Sequence, residues 1–423
     1  MKQQMKQQSR KRREARRARK TKLAVLIIAI VTVAATAGII LYYTTQLSLA
    51  LVGDREMTVG LYGIYEDPGV KAKLGGKDVS DKVECTGEVD TSVPGQYILH
   101  YKSGTLTVER TVTVLEHMNP EIALAGEETQ KIKLGDEYEE PGYTATDEDG
   151  NDITAQVKVS NTEFRKAGER TIKYTVSDSK GNTTRVTRTV TVEPNKDYGS
   201  PGLPICMYHY VYDEKNPPKG VNANFISIQD LEEELNWLNE EGYYYPTWKE
   251  VRDYIDGKQL LPDKSIVLSF DDGAMSFLEN GIPVLEKCKV PATCFIITSS
   301  SGEEKIAGHQ SDYVVYESHS HNMHRPGGNI GHGGIFTAIS EKDGLEDLKT
   351  SIEICGSSDA FAYPFGDYND RSRDMLEEAG FLCAVTTQYA KAYPGDDPLL
   401  LPRIRMSEGQ SLQKFISSVA PKN

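Results

Sequence analysis

The pattern of apolar and polar positions changes character along the chain. An uncharged apolar run, LAVLIIAIVTVAATAGIILYY, occupies residues 23–43, and its 21 residues are enough to cross a bilayer as a helix. Beyond it, short alternating runs such as YILHYKS and RTVTV, separated by Gly, Asp and Asn turns, predict strands with one buried face. From residue 204 onward, near-continuous apolar runs alternate with segments of helical periodicity, which predicts parallel strands buried under helices.

The strand-rich region contains an internal repeat. GIYEDPGVKA (63–72) recurs as DEYEEPGYTA (136–145), and RTVTV (110–114) recurs as RTVTV (188–192) after a longer loop. Such self-similarity predicts two copies of one small structural unit. We therefore predict two small antiparallel β-sandwiches, a linker and an α/β domain. Their ranges are 52–117 and 118–195 for the sandwiches, 196–203 for the linker and 204–423 for the α/β domain.

Two segments of the α/β domain carry clear local signals. SIQDLEEELNWLNEEG has leucines at helical spacing, preceded by a serine suited to an N-terminal cap. SIVLSF (265–270) has the near-continuous apolar character of a buried strand. The leucines are Leu231, Leu235 and Leu238, and the capping residues are Ser227 and Asp230. We expect this domain to have a hydrophobic core of its own.

Charge is distributed unevenly and bears on topology. Residues 1–22 carry 11 Lys or Arg and one Glu, so the rest of the chain has a net charge of −24 although the whole chain has −14. Positive charge before the apolar run and little after it places the N-terminus in the cytoplasm. A cleavable signal peptide is the alternative, but the run is long and has no obvious A-x-A site. We expect a single-pass membrane anchor at 23–43, a basic cytoplasmic segment at 1–22, most of the protein outside the cell, and no nucleic-acid partner.

The six cysteines do not indicate a metal or redox motif. None has C-x-x-C spacing, so neither a zinc knuckle nor a thioredoxin-like pair is expected. Most lie in apolar strand-like runs such as ATCFIIT and FLCAVTT. We expect most of them to be buried free thiols.

Candidate chemistry lies beyond the ends of predicted strands. SIVLSF leads directly into Asp271 and Asp272, and the segment ESHSHNMH (317–324) contains three histidines. Asp-Asp-Gly alone is good turn sequence. One carboxylate and two imidazoles, however, form a three-ligand site with an open position, as in catalytic zinc centres, where the ion polarises a carbonyl and acidifies water. The neighbouring carboxylate could then serve as a general base. The residues alone do not decide which two histidines would bind.

Three motifs in order, SFDDG, SHSHNMH and FAYPFG (361–366), resemble the polysaccharide deacetylases of the NodB-homology type, carbohydrate esterase family 4. The resemblance covers about residues 201–410 and implies a distorted (β/α) barrel with its site at the C-terminal face. It also implies that Asp271 is the general base and Asp272 a metal ligand.

The histidine spacing departs from the common family pattern. Many members have ligand histidines four residues apart, but a methionine stands four residues after His319. The spacing instead resembles the branch that acts on poly-N-acetylglucosamine. That likeness implies His319 and His324 as the two ligands and leaves His321 outside the site.

The remaining roles also follow from the resemblance. No histidine follows His332, so the usual C-terminal general acid is missing. In the same branch, whose motif order is circularly permuted, a Tyr-His pair near the N-terminal edge supplies the acid, which points to His209 in LPICMYHYV. Arg403 in LLLPRIRM matches the arginine that orients the base, with Arg405 as the near alternative.

The third motif, FAYPFG, contributes to the expected pocket. Tyr363 and Pro364 would wall it and bind substrate, and the amide of Phe365 would stabilise the oxyanion. The arginine that often begins this motif is absent, and Ala362 stands near that point.

The implied function is metal-dependent removal of N-acetyl groups from N-acetylglucosamine units of a cell-surface polysaccharide, either an exopolysaccharide or peptidoglycan. Zinc is the expected metal, and cobalt or nickel are alternatives. The sandwiches resemble bacterial immunoglobulin-like repeats that act as spacers or adhesion modules. Two other functions stay open: an O-acetyl glycan esterase, and a non-catalytic surface adhesin in which the C-terminal domain is a relic.

Overall fold

A computed structural model describes residues 47–421 of the 423-residue chain. The expected basic segment at 1–22 and membrane helix at 23–43 lie outside these residues. Among the residues described, no helix has both the length and the apolar character needed to span a bilayer. The chain packs as two compact units. The first contains the described residues up to Gly126 with Pro141–Ser160 and Lys173–Thr187, and the second contains Glu127–Glu140, Asn161–Ile172 and the chain from Arg188.

The first sandwich has two facing sheets with strand orders β1-β3-β4 and β2-β7-β6-β5. A single 3₁₀ turn, Ser80–Lys82, precedes β5. The strands are β1 (Leu47–Leu51), β2 (Glu56–Leu61), β3 (Val70–Leu74), β4 (Lys77–Asp78), β5 (Glu84–Thr86), β6 (Gly95–Ser103) and β7 (Leu106–Met118).

The second sandwich repeats this plan, with strand orders β8-β10 and β11-β12-β13-β9. Its 3₁₀ turn, Thr154–Gln156, again precedes the strand at the edge of the larger sheet. The strands are β8 (Glu121–Leu124), β9 (Thr129–Lys133), β10 (Tyr143–Thr146), β11 (Lys158–Ser160), β12 (Gly168–Ser177) and β13 (Thr183–Glu193).

The expectation of purely antiparallel sandwiches is wrong for one strand pair in each copy. β2 pairs with β7 in parallel, and β9 pairs with β13 in parallel. After β1 or β8 the chain crosses to the facing sheet instead of turning back as a hairpin, so the next strand lies alongside the last strand of its copy in the same direction. Alternation of apolar residues reports which face is buried and carries no information on pairing direction.

The repeated arginine of RTVTV is buried in both copies. Arg110 is fully buried, donates to two backbone carbonyl oxygens and lies 3.6 Å from a carboxylate oxygen of Asp67. Arg188 is also fully buried and lies 3.5 Å from Glu140. Asp67 and Glu140 occupy the same position of the repeat, one residue before Pro-Gly. The repeat therefore preserves a buried arginine with a partly exposed acidic partner, as well as its strands.

The α/β domain is a closed barrel whose strand order is β14-β17-β18-β19-β20-β21-β22. Its strands pair in parallel, and β14 pairs with β22 to close it. The barrel strands are β14 (Ile205–Tyr208), β17 (Val267–Phe270), β18 (Ala292–Ile296), β19 (Val314–Ser318), β20 (Ala360–Ala362), β21 (Cys383–Tyr389) and β22 (Leu401–Arg405). A separate parallel pair is formed by β15 (Tyr210–Tyr212) and β16 (Phe225–Ser227).

Helices alternate with these strands, as the βαβα texture predicted. They are α1 (Ile228–Glu240), α2 (Trp248–Ile255), α3 (Ile282–Cys288), α4 (Gly302–Gly308), α5 (Glu341–Cys355), α6 (Asp370–Ala379) and α7 (Leu412–Val419). A π-helical turn, Phe277–Gly281, leads into α3, and 3₁₀ turns occur at Ile335–Thr337 and Pro364–Gly366. The start of α1 is confirmed, because Ser227 accepts a hydrogen bond from the Asp230 amide. Its three predicted leucines are fully buried.

The cysteines are free thiols in the described structure. Cys206, Cys294 and Cys383 are buried in the barrel domain, as their apolar surroundings predicted, and Cys288 is buried as well. Cys85 on β5 is exposed.

The parallel direction of the barrel strands determines where functional side chains can meet. C-terminal ends of parallel strands share one rim of a barrel, and loops beyond them build the site. His209, Asp271, His319 and Tyr363 each directly follow the last residue of a barrel strand. Residues that are far apart in sequence are therefore brought to the same rim.

Candidate active site

Three ligand-type side chains converge at this rim. Nε2 of His319 lies 3.5 Å and Nε2 of His324 lies 3.6 Å from Oδ1 of Asp272. One donor atom from each residue can be chosen so that all lie within 4.8 Å of one another. In the described part of the chain, this is the group of His, Cys, Asp or Glu side chains whose geometry suits a metal ion.

The donor chemistry of this cluster fits a divalent transition metal. Nδ1 of His319 lies 2.7 Å from the carbonyl oxygen of Ala362. A carbonyl can only accept, so Nδ1 carries a proton, and Nε2, which faces Asp272, is the ring nitrogen left to bind a metal. Two imidazole nitrogens and one carboxylate oxygen are a known ligand set for catalytic zinc. Fixing a ligand histidine through its second ring nitrogen is common in such sites.

The electrostatics hold Asp272 and His324 in protonation states that suit ligation. Burial alone would raise the pKa of Asp272, but hydrogen bonds and the nearby His319 hold it well below its usual range. Burial, together with the nearby His319, lowers the pKa of His324 to about 4. Burial also opposes a charge on His319, but the hydrogen bond to Asp272 outweighs it and raises the pKa of this imidazole. Asp272 is thus an anion, and His324 is a neutral imidazole near neutral pH.

The structure places His321 apart from this cluster. Its Nδ1 lies 3.0 Å from Oγ1 of Thr298. The backbone amides of His321 and Asn322 each donate a 2.7 Å hydrogen bond to the carboxylate of Asp347 on α5. These hydrogen bonds to Asp347 fix the loop between the other two histidines. His321 therefore contributes to the conformation of this loop and lies outside the ligand cluster.

Asp271 faces a buried arginine. Nη1 and Nη2 of Arg403 donate to the two oxygens of Asp271, both at 2.7 Å. The guanidinium also donates to the hydroxyl of Ser269 and the carbonyl of Thr386, which fixes its plane. Arg405, the alternative, is exposed and pairs with Asn224 instead. Burial alone would raise the pKa of Asp271, but Arg403 holds it below its usual value, so the carboxylate is ionised.

His209 lies beside both carboxylates. Burial lowers its pKa, and the charges of Asp271 and Asp272 partly offset that effect. Its ring lies 5.9 Å from that of Tyr210, edge to face. The structure therefore brings the Tyr-His segment at the start of the barrel to the same rim as the Asp-Asp pair.

The FAYPFG turn reaches the site through one residue. The ring of Phe365 lies 4.2 Å from that of His324 and covers one side of this imidazole. Tyr363 is only 1% exposed and packs in the core against Phe361, and Pro364 is buried. Contact of the Tyr363 and Pro364 side chains with substrate stays a prediction, and in the structure they support the turn from inside the domain.

Left-handed backbone occurs in all three motifs. Asp272, Ser320 and Phe365 have φ values of 75°, 70° and 61°. Such conformations are uncommon for residues other than glycine and cluster at functional sites, where the surrounding fold must hold them. Here they turn the chain sharply after a strand end or within a site loop, which directs the flanking side chains toward the rim.

Sequence reasoning missed two residues that hold the cluster. Tyr210 donates a 2.7 Å hydrogen bond to Oδ2 of Asp272, and Asp347 fixes the histidine loop. Tyr210 could have been found from its place next to His209 in MYHYV. Asp347 reads in the sequence as an ordinary polar residue on the surface of a helix, and no neighbouring residue indicates its role.

Comparison with known proteins identifies the class. Residues 258–384 match the polysaccharide deacetylase family, and residues 49–114 and 122–192 match the immunoglobulin-like domain of bacterial surface proteins. The chain therefore contains a polysaccharide deacetylase domain, which is a hydrolase, preceded by bacterial immunoglobulin-like domains. The family resemblance drawn from the three motifs is confirmed.

Individual relatives are similar over the barrel domain. A poly-β-1,6-N-acetyl-D-glucosamine N-deacetylase of Staphylococcus aureus (strain MRSA252) is 28% identical over 209 residues, covering 45% of this chain and 70% of that protein. The structure of the Streptococcus pyogenes deacetylase PplD in complex with acetate aligns with a TM-score of 0.46 and 23% identity, covering 52% of this chain and 99% of that one. IcaB from Ammonifex degensii aligns with a TM-score of 0.43 and 24% identity, covering 52% and 97%.

Proposed function

We propose that the protein removes N-acetyl groups from N-acetylglucosamine units of a cell-surface polysaccharide. The observation that carries this proposal is the pairing of two differently held carboxylates at one barrel rim. Arg403 fixes Asp271, while Asp272 faces His319 and His324. The deacetylase family match and the named activity of the Staphylococcus aureus relative support this reaction over other hydrolyses.

Asp272, His319 and His324 would hold the metal, with zinc as the first choice and cobalt or nickel as alternatives. When bound, such an ion polarises the acetamide carbonyl and makes water more acidic. The protein residues supply the rest. The ionised Asp271 takes a proton from the attacking water, and Arg403 keeps that carboxylate oriented.

Bond cleavage needs a proton on the departing nitrogen. His209, whose protonated form is favoured by the charges of Asp271 and Asp272, would in that form give the proton to the amine as the carbon–nitrogen bond breaks. The backbone amide of Phe365 would donate to the oxyanion that forms from the carbonyl oxygen. The products are acetate and a glucosamine unit whose amine binds protons near neutral pH.

Poly-N-acetylglucosamine exopolysaccharide is the favoured substrate, and peptidoglycan is the second candidate. The five-residue spacing of His319 and His324 and the position of His209 ahead of the other motifs resemble the exopolysaccharide branch. The complete set of site side chains argues against a relic domain. An O-acetyl esterase would use the same cluster of side chains, so only the substrate that is hydrolysed distinguishes it from an N-deacetylase.

Acetate release tests the activity and its metal requirement. Purified protein is incubated with poly-N-acetylglucosamine, peptidoglycan and acetylxylan, with and without a chelator. We expect acetate from poly-N-acetylglucosamine, loss of activity with the chelator and recovery with zinc. Activity that a chelator leaves unchanged, or no release from any of the three after metal loading, would refute the proposal. Release from acetylxylan alone would assign an esterase.

We also propose that residues 23–43 anchor the protein in the cell membrane, with the N-terminus in the cytoplasm and the deacetylase domain outside. The apolar run and the basic residues before it support this topology. Protease added to intact cells should degrade the barrel domain and spare an epitope at the N-terminus. Recovery of the full chain from the cytosol would exclude the anchor.

A further inference from the structure

The two oxygens of Asp272 have different partners. Oδ1 faces the Nε2 atoms of His319 and His324 at 3.5 and 3.6 Å. Oδ2 accepts a 2.7 Å hydrogen bond from the phenol of Tyr210. One oxygen is therefore directed into the ligand cluster, and the other is held from outside it.

Tyr210 is itself held by structure outside the barrel. It begins β15, and its register partner on β16 is Phe225. The two rings pack with centroids 4.9 Å apart. The next residue but one, Tyr212, packs on the same Phe225 ring at 6.2 Å. The small parallel sheet thus places the Tyr210 phenol before any ligand binds.

We propose that Tyr210 is a positioning residue for the metal site, which holds Asp272 so that only Oδ1 is presented to the ion. This inference rests on the proposed ligand set Asp272, His319 and His324. A free carboxylate could rotate about its terminal bond and present either oxygen or both. A hydrogen bond to Oδ2 opposes that rotation and lowers the cost of ordering the ligand on binding.

The backbone at Asp272 is also unusual. Its φ of 75° is left-handed, and the residue directly follows a strand end. The side chain is therefore held by a short, tightly turned segment next to a second carboxylate. Outer partners of metal ligands commonly contribute 10- to 100-fold in metal affinity, on the order of 1.4–2.7 kcal/mol.

The test is zinc affinity of the full chain, measured without substrate. Metal-free wild type and Tyr210→Phe are titrated with zinc in competition with a chromophoric chelator. We expect the dissociation constant to rise about 10- to 100-fold in the variant. The cobalt absorption spectrum should also change, because Asp272 is free to present both oxygens. Wild-type affinity and an unchanged cobalt spectrum would overturn the proposal.

Tyr212→Phe is the matched control. It lies on the same strand, packs on the same ring, and its hydroxyl lies 3.5 Å from the exposed Glu408. Its zinc affinity should equal that of the wild type. A loss of affinity equal to that of Tyr210→Phe would assign the effect to the small sheet as a whole and overturn the role of the hydrogen bond.

A double-mutant cycle separates positioning from a general folding effect. In an Asp272→Ala background the phenol has no carboxylate to hold, so adding Tyr210→Phe should leave the residual zinc affinity unchanged. A further loss would overturn the proposal. Zinc binding with no acetate release would refute the proposed activity without affecting this inference, because the titration contains no glycan.

Discussion

Asp271 and Asp272 show how two identical neighbouring side chains acquire different properties. Arg403 binds both oxygens of Asp271, whereas Asp272 divides its oxygens between Tyr210 and the histidine pair. The backbone at Asp272 is left-handed, whereas that at Asp271 is not. The two carboxylates are therefore suited to the separate roles proposed for them, proton transfer for Asp271 and ligation for Asp272.

Replacing the base should separate catalysis from metal binding. In Asp271→Asn the amide keeps the size of the carboxylate but cannot take a proton from water. We expect acetate release to fall about 10²- to 10⁴-fold, with zinc content per chain unchanged. Acetate assay and elemental analysis of the same sample measure both. If the variant also loses its zinc, the two aspartates have been assigned the wrong roles.

The histidine loop offers a paired comparison within three residues. His319→Ala removes the buried imidazole of a proposed ligand and should abolish stoichiometric zinc binding. His321→Ala removes a ring bonded to Thr298 and should keep zinc bound, because Asp347 binds the backbone amide at this position. Zinc content after dialysis checks both variants. The reverse pattern would show that the histidine spacing has been misinterpreted.

Glu234 makes stability depend on pH. This carboxyl on α1 is buried and accepts a 2.6 Å hydrogen bond from the Tyr208 hydroxyl. Burial raises its pKa from 4.5 to about 8, so the folded state holds an extra proton between these values. Its stabilising contribution is complete below pH 4.5 and is lost as pH rises through about 8. The slope in this window is about 1.4 kcal/mol per pH unit.

The variant Glu234→Gln isolates this effect. The amide oxygen still accepts from Tyr208 but the group does not ionise. We expect the variant to gain stability relative to wild type as pH rises through that window, measured as the difference in unfolding midpoint between the two proteins. If the unfolding midpoints of the variant and the wild type change in parallel with pH, Glu234 is not protonated in the folded state.

At the scale of helices and strands, local sequence signals were sufficient to predict an element whose structure depends on its own residues. The cap and three leucines predicted α1, and the apolar run of SIVLSF predicted β17. Pairing direction was not predictable in the same way, because β2 lies beside β7 only after the chain has crossed between sheets. Asp347 was missed for a related reason, since its role depends on a loop that the fold brings to α5.

The buried arginines of the repeat predict a local stability effect. Arg188 on β13 is fully buried beside Glu140 and donates to the carbonyl oxygen of Glu127. Arg188→Ala removes a fully buried charged group together with its hydrogen bond to a backbone carbonyl oxygen, and a hydrogen bond to a charged group contributes about 1.5–3 kcal/mol. Amide hydrogen exchange measured by mass spectrometry should accelerate in β12 and β13.

Arg185 supplies the control for this experiment. It lies on the same strand but is exposed, and Arg185→Ala should leave exchange in β12 and β13 unchanged. Equal exchange in both variants would mean that the repeated arginine contributes no measurable stability. The sequence identified this arginine as repeated, and only the structure showed that it is buried against an acid.

At the scale of the whole molecule, the site is completed by residues at the first and last strands of the barrel. The family match covers residues 258–384 and includes the Asp-Asp pair, the histidine loop and the FAYPFG turn. His209 and Arg403 lie outside it, after β14 and within β22. These two strands are neighbours because they close the barrel. Barrel closure therefore brings the proposed acid and the arginine to the same rim.

The distribution of charge predicts how the protein responds to its own product. Beyond residue 22 the chain has a net charge of −24, whereas each deacetylated unit adds a protonated amine to the glycan. Partly deacetylated poly-N-acetylglucosamine should therefore bind more tightly than the acetylated polymer and inhibit acetate release. The attraction is screened by salt, so inhibition should weaken strongly between about 0.05 and 0.5 M ionic strength. Fully acetylated polymer of the same length is the control competitor. Inhibition that is equal for both polymers, or unchanged by salt, would show that product binding depends on local contacts and not on the net charge of the chain.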